Sequence, residues 1–173
     1  MPVVGAVVLA AGEASRFGAP KQLLLLPDVL ERLSGRVAEV VVVAGAYPVE
    51  VGVRVVHCAG WAKGPGASLR CGLEALGDPV EAAVVVLADG PDLSPAAVDR
   101  VVQAWRDEPG DVVAASYGGK RGHPLVLGRA AWTNVPDEGL RGIAVRLVPC
   151  DDLGAPGDVD RPEDLPERFR RRD

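Results

Sequence analysis

Aromatic residues are scarce: they make up 4% of the 173 residues, so valine, alanine and leucine must fill any core. Histidine is scarcer still, with only His57 and His123, and no Ser-His-Asp or Cys-His constellation offers itself as a nucleophile. Cysteine occurs three times, at 58, 71 and 150, and never as C-x-x-C. That odd count and wide spacing exclude a zinc site and lead us to expect reduced thiols in a cytoplasmic protein. Basic residues are in deficit, at 19 against 24 acidic, which excludes nucleic acid as the main partner. The arginines at 168, 170, 171 and 172 read as a solubilising terminus. No apolar run approaches the ~18 residues that span a bilayer, and no charged-then-apolar leader precedes residue 3. A soluble, cytoplasmic chain with no membrane partner is expected.

What is present is a rhythm of valine-rich runs. Strands are expected at 3–9, 37–44, 53–57, 83–88, 112–117 and 145–149. Most of these runs are continuously apolar rather than alternating, the mark of strands covered on both faces. Helices are expected between them at 28–35, ended by Gly35, at 67–76, and at 95–106 with Ser94 as cap and Pro95 in the first turn. Strands alternating with helices imply a parallel α/β sheet with right-handed crossovers. Tyr117-Gly118-Gly119-Lys120 reads as a hairpin turn, so an antiparallel insertion is expected there. The length and the lack of a linker indicate one domain over 1–173.

The first strand runs into Leu9-Ala10-Ala11-Gly12, followed by Arg16, Gly18 and Lys21. Two common phosphate loops fail here. Gly18 is not followed by Lys-Ser or Lys-Thr, and Gly12 and Gly18 stand too far apart for G-x-G-x-x-G. The segment is either a solvated surface loop or a phosphate cradle with two fixed cations. Three further segments fall at strand ends, where open α/β sheets bind ligands. Asp89-Gly90-Pro91 either caps a turn or holds a cation against phosphates. Gly64-Pro65-Gly66-Ala67-Ser68 either caps a helix or lets a planar base lie on the backbone. Asp158-Val159-Asp160-Arg161-Pro162 either starts a terminal helix or brings a second carboxylate to the cation, and both can hold together. Arg121-Gly122-His123-Pro124 fits neither pattern, and a lone histidine such as His123 or His57 is more often structural than catalytic.

Taken in order, Leu-Ala-Ala-Gly-x-x-x-Arg-Phe-Gly-x-x-Lys, Trp61-x-x-Gly64-x-Gly66-x-Ser68-Leu69, Asp89-Gly90-Pro91, Arg121-Gly122-His123-Pro124 and Asp158-x-Asp160-x-Pro162-Glu163-Asp164 resemble the molybdenum-cofactor cytidylyltransferases. The resemblance runs from residue 3 to about residue 165. It implies a Rossmann-like three-layer α/β/α fold of the nucleotide-diphospho-sugar transferase type. It implies nucleotide binding by Leu9, Ala10, Ala11, Gly12, Gly66 and Ser68, with Arg16 and Lys21 on the triphosphate. Asp89 and Asp160 would hold Mg²⁺, and Arg16, Lys21 and Asp89 would carry catalysis. His123 and Arg141 would face the acceptor. Ala11 stands where the guanylyl branch tends to carry glycine, which tilts the nucleotide toward CTP.

The resemblance further implies a nucleoside triphosphate and a phosphorylated, molybdopterin-type acceptor as partners, and transient contact with a molybdoenzyme or its chaperone. The expected reaction is attack of the acceptor phosphate on the α-phosphorus, with pyrophosphate leaving. Three alternatives stay open: a GTP-dependent enzyme, a transferase acting on a sugar phosphate or other metabolite, and an inactive nucleotide-binding relative. Two departures bear on them. Leu23-Leu24-Leu25-Leu26-Pro27 runs directly into 28–35 where relatives have a glycine turn and a full helix, and Gly90 stands where relatives often have Gln or Met.

Overall fold

Valine and alanine dominate the strand runs, and the computed structural model shows why such small residues suffice. It describes residues 1–12, 21–110 and 112–170, with the backbone alone at Gln22. Seven strands of the described residues form one sheet: β1 (Val3–Ala10), β2 (Val40–Ala44), β3 (Arg54–His57), β4 (Val80–Leu87), β5 (Val112–Tyr117), β6 (Lys120–Gly128) and β7 (Arg146–Pro149). Their order across the sheet is β3-β2-β1-β4-β6-β5-β7. Every neighbouring pair is parallel except those made by β6, which runs antiparallel to both β4 and β5.

Alternate residues of β1 serve two cores. Val4, Ala6, Val8 and Ala10 pack with Leu26, Val29 and Leu33 of α1 (Lys21–Leu33) and with Val98, Val101 and Trp105 of α3 (Pro95–Asp107). Val7 and Ala11 pack on the other face with Leu69 and Leu73 of α2 (Pro65–Ala75). The result is the expected three-layer α/β/α arrangement. Both faces of the central strands are covered, so β1, β2 and β4 carry almost no polar residues.

Local signals place the turns. Ser94 Oγ accepts from Ala97 N at 3.3 Å and caps α3. Gly118 and Gly119 have φ of 60° and 77°, and Tyr117 pairs with Lys120 across them, so the hairpin and the antiparallel insertion are as expected. A two-residue turn with both φ positive suits glycine best.

Two expectations need correction. The first helix is not the short segment 28–35; α1 begins at Lys21 and carries Pro27 inside it. An interior proline costs about 3 kcal/mol, but Leu25, Leu26, Val29 and Leu33 are fully buried. Each such side chain gains about 1.5–3 kcal/mol on burial, so packing outweighs the break. A full helix therefore does follow Lys21, so the missing helix no longer counts as a departure from the resembled family, while the glycine turn is still lacking. Further along, Cys58 and Cys71 are not reduced thiols. They form a disulfide, with Cα atoms 5.9 Å apart, linking the end of β3 to α2. They lie 13 positions apart in the sequence, and the turn between folds α2 back over the sheet. Cys150 is free and buried.

Closing a loop of this length stabilises a fold by about 3 kcal/mol. Reduction, or replacement of both cysteines by serine, should therefore lower the thermal midpoint by roughly 5–10 °C. Scanning calorimetry with and without dithiol checks this, and an unchanged midpoint would show that the link contributes nothing.

Candidate active site

The carboxyl ends of β1 and β4 lie side by side, joined by a bond from Ala88 N to Leu9 O at 3.0 Å. A cavity of about 360 Å³ opens above them. Ala11, Gly12, Trp61, Ser68, Lys21 and Asp89 lie on its wall, and Leu9 on its floor. This volume falls within the range of small-molecule sites.

At one end of the cavity sits a charged cluster. Asp89, Asp158 and Asp160 each present a carboxylate oxygen within 4.8 Å of the others. Lys21, at the start of α1 and only 7% exposed, reaches into it. Its Nζ lies 3.2 Å from Asp89 Oδ2 and 3.8 Å from Asp160 Oδ1, and donates to the Val159 carbonyl. Three carboxylates and one ammonium leave a formal excess of two negative charges. Partial loss of water around the carboxyl, reinforced by the charges of Asp89 and Asp160, pushes Asp158 above its ordinary pKa. A hard, all-oxygen donor set with that charge fits a divalent cation such as Mg²⁺ or Mn²⁺.

The backbone holds the cluster together. Val159 N donates to Asp89 O at 3.1 Å, and Asp92 N to Pro156 O at 2.9 Å. Arg168, from the terminal helix α4 (Glu167–Arg170), grips Asp92 at 2.8 Å, Asp28 at 3.0 Å and the Pro91 carbonyl at 3.0 Å. Asp164 Oδ2 accepts from the backbone of Asp160 and Arg161. Gly90 fits the same crossing: a Cβ there would stand 3.0 Å from Pro156 Cβ.

Two neighbouring cavities share Leu87 with the first. One, of about 430 Å³, lies between Leu69, Arg121, His123, Glu138 and Arg141. The other, of about 460 Å³, is bounded by Tyr117, Arg121, His123, Pro156 and Asp158. His123 thus stands on a wall between the two. Loss of water from around the imidazole lowers its pKa to about 4, against the pull of Asp89 and together with the repulsion of Arg121.

Because this folded-state value lies below the ordinary 6.5, falling pH favours the unfolded chain, which binds the extra proton. His123 contributes nothing above about pH 7 and removes up to about 3 kcal/mol as pH falls from 6.5 to 4. A His123→Gln protein should lose that part of its acid sensitivity, read from denaturant midpoints at pH 7 and 4.5. Equal losses in the two proteins would contradict a neutral His123.

Most sequence-expected residues converge. Leu9, Ala11, Gly12, Lys21, Ser68 and Asp89 share the first cavity, Asp160 joins its charged end, and His123 and Arg141 share the second. Ala10 instead packs in the core beneath. Gly66 is turned away: its N–H goes to Asp137 O at 2.9 Å, and a Cβ would lie 1.6 Å from Pro136 O. Arg16 lies outside the described residues. Asp158, which accompanies Asp160 in the same motif, belongs to the carboxylate cluster, and Trp61 adds an indole to the cavity wall. His57 ends the edge strand β3, away from both cavities.

Residues 6–144 match the model of the MobA-like NTP transferase domain. The chain belongs to that family. The MobA-like chain is 31% identical over 156 residues to the molybdenum cofactor guanylyltransferase of Mesorhizobium japonicum, covering 82% of this chain and 73% of that protein. Among solved structures it resembles the Rv0371c protein of Mycobacterium tuberculosis H37Rv, with TM-score 0.76, 26% identity, and 94% and 95% of the two chains covered. A manganese complex of Rv0371c superposes with TM-score 0.67 at 23% identity, covering 99% and 97%. The MobA-like family is thus one of nucleotidyltransferases, as the sequence motifs imply. Among the described residues of the MobA-like chain, no helix is long and apolar enough to cross a membrane.

Proposed function

We propose that this chain transfers a nucleoside monophosphate from a nucleoside triphosphate to the terminal phosphate of a molybdopterin-type cofactor, releasing pyrophosphate. One observation carries the reading: Lys21 and three carboxylates meet beside the cavity of Ala11, Gly12 and Trp61, at the carboxyl ends of β1 and β4. That is where open α/β sheets bind nucleotides.

In the proposed mechanism Ala11, Gly12 and Ser68 receive the base and ribose, and Trp61 offers a stacking surface. An oxygen of the acceptor phosphate forms the new bond to the α-phosphorus as the bond to pyrophosphate breaks. The attacking phosphate is already an anion, so no general base is needed and neutral His123 abstracts no proton. Catalysis then consists of positioning and charge neutralisation. Lys21 and Arg16 offset the charge on the leaving pyrophosphate. Asp89, Asp158 and Asp160 would hold Mg²⁺ or Mn²⁺, which when bound supplies further neutralisation at the phosphate oxygens. The manganese complex of Rv0371c supports a divalent cation here. His123 and Arg141 would face the acceptor.

Two donors have specific support. Ala11 favours CTP through the family resemblance, whereas the Mesorhizobium relative is a guanylyltransferase and favours GTP. Pyrophosphate release measured over ATP, CTP, GTP and UTP, with Mg²⁺ or Mn²⁺ and with or without molybdopterin, decides between them. We expect release with CTP or GTP only when the acceptor is present. Binding of nucleotide and cation without release would make the chain an inactive relative. A cytoplasmic setting suits these substrates, and contact with a molybdoenzyme or its chaperone would deliver the product.

A further inference from the structure

The segment 135–143 borders the second cavity and is anchored from two sides. From β6, Arg121 donates through Nη1 to Ile143 O at 2.8 Å and through Nη2 to Leu140 O. From α2, Arg70 donates through Nη1 to Val135 O at 2.6 Å, and its Nη2 pairs with Asp137. The N–H of Gly66 adds a bond to Asp137 O. Between these anchors the segment presents Glu138 and Arg141 to the cavity of about 430 Å³.

At the start of α2, beside the Arg70 contacts, the approach to this segment is backbone on backbone. A Cβ on Gly66 would meet Pro136 O at 1.6 Å, and one on Gly64 would meet Asp137 O at 2.3 Å. Real Cβ atoms do not approach that closely, and the obstacle is main chain rather than a movable side-chain tip. Glycine at 66 is therefore required by the seam. Its amide and its open face are both occupied by the 136–139 segment, which leaves neither for a base. Arg121 is specific in another way. Its planar fork presents one N–H to each of two carbonyls three residues apart, in a fixed geometry that a flexible ammonium reproduces less well.

We propose that Gly66, Arg70 and Arg121 are positioning residues for acceptor recognition, acting by fixing the 135–143 segment that carries Arg141. This rests on the transferase reading above and alters it at one point: Gly66 serves the acceptor side rather than the nucleotide. A residue that positions only this segment moves the acceptor's affinity and leaves the nucleotide's alone.

The test compares wild type with Gly66→Ala, Arg70→Gln, Arg121→Gln and Arg121→Lys. Nucleotide and molybdopterin Kd are read from tryptophan fluorescence, KM from pyrophosphate release, and amide exchange is followed over 138–143. We expect molybdopterin Kd and KM to rise tenfold or more in Gly66→Ala and Arg121→Gln, with nucleotide Kd and KM within about twofold. Arg121→Lys should fall between, and exchange at 138–143 should quicken in each variant. If Gly66→Ala fails to fold, the arginine variants carry the comparison alone. A nucleotide Kd that rises in step with the acceptor's overturns the proposal, as does faster exchange with acceptor Kd unchanged. Wild type that binds no molybdopterin also overturns it. Wild type that binds molybdopterin yet releases no pyrophosphate contradicts the transferase reading only, and the Kd comparison still decides the positioning claim.

Discussion

Asp89→Ala lowers turnover at least about a hundredfold while the protein stays folded. Asp89 is the member of the cluster that follows β4 directly, two residues past Leu87, and its oxygen lies 3.2 Å from Lys21 Nζ. Removing one fixed electrostatic contact to developing charge typically costs about 2.7–4 kcal/mol of barrier. Asp89 acts through the cation it would hold, and a cation held by Asp158 and Asp160 alone is held more weakly. The fold is spared for a local reason. The bond that docks the closing segment uses the Asp89 backbone oxygen, which accepts from Val159 N and survives the substitution. Steady-state pyrophosphate release and circular dichroism on the same sample check both halves. Near-normal turnover in a folded variant removes Asp89 from the site.

Lys21→Ala has a comparable effect on rate and a small one on stability. The ammonium neutralises Asp89 and Asp160 and donates to the Val159 carbonyl. Breaking a fully buried ion pair costs about 3–5 kcal/mol, because the remaining charge stays out of water. That figure does not apply here. The side chains of Asp89 and Asp160 are 24% and 42% exposed, so both regain solvent once the lysine is gone. A stability loss of about 1 kcal/mol is expected, in the range of exposed pairs. Turnover should fall at least about a hundredfold, since the charge on the leaving pyrophosphate goes uncompensated. Urea midpoints and turnover, measured side by side, separate the two effects. A collapse in stability with proportionate loss of activity would make Lys21 a structural brace only.

Where one residue type at one position has one physical meaning, the sequence is a good guide. Continuous valine runs must be covered on both faces, and that predicts the layers. Gly118-Gly119 can turn where few other pairs can, and that predicts the antiparallel strand. Asp89 after a strand and Lys21 after a glycine loop likewise come together in the folded chain. The misses all turn on partners far along the chain. Pro27 argues locally against a helix, and only the burial of Leu25 and Leu26 decides otherwise. Cys58 and Cys71 read as separate thiols until α2 folds back over β3. Gly66 reads equally well as a platform for a base or as a capping turn, because its actual neighbour, Pro136, lies 70 positions away. Asp158 and Asp160 have the same local signal, and the crossing of the closing segment over Asp89 makes both part of one cluster.

The most direct test follows the label. Incubated with cation and molybdopterin, the protein is given its preferred triphosphate labelled once at the α-phosphorus and once at the γ-phosphorus. Nucleotidyl transfer predicts that the α-label moves to the acceptor and the γ-label leaves as pyrophosphate. Transfer of the γ-label to the acceptor, or retention of both labels on the unreacted triphosphate, would contradict it.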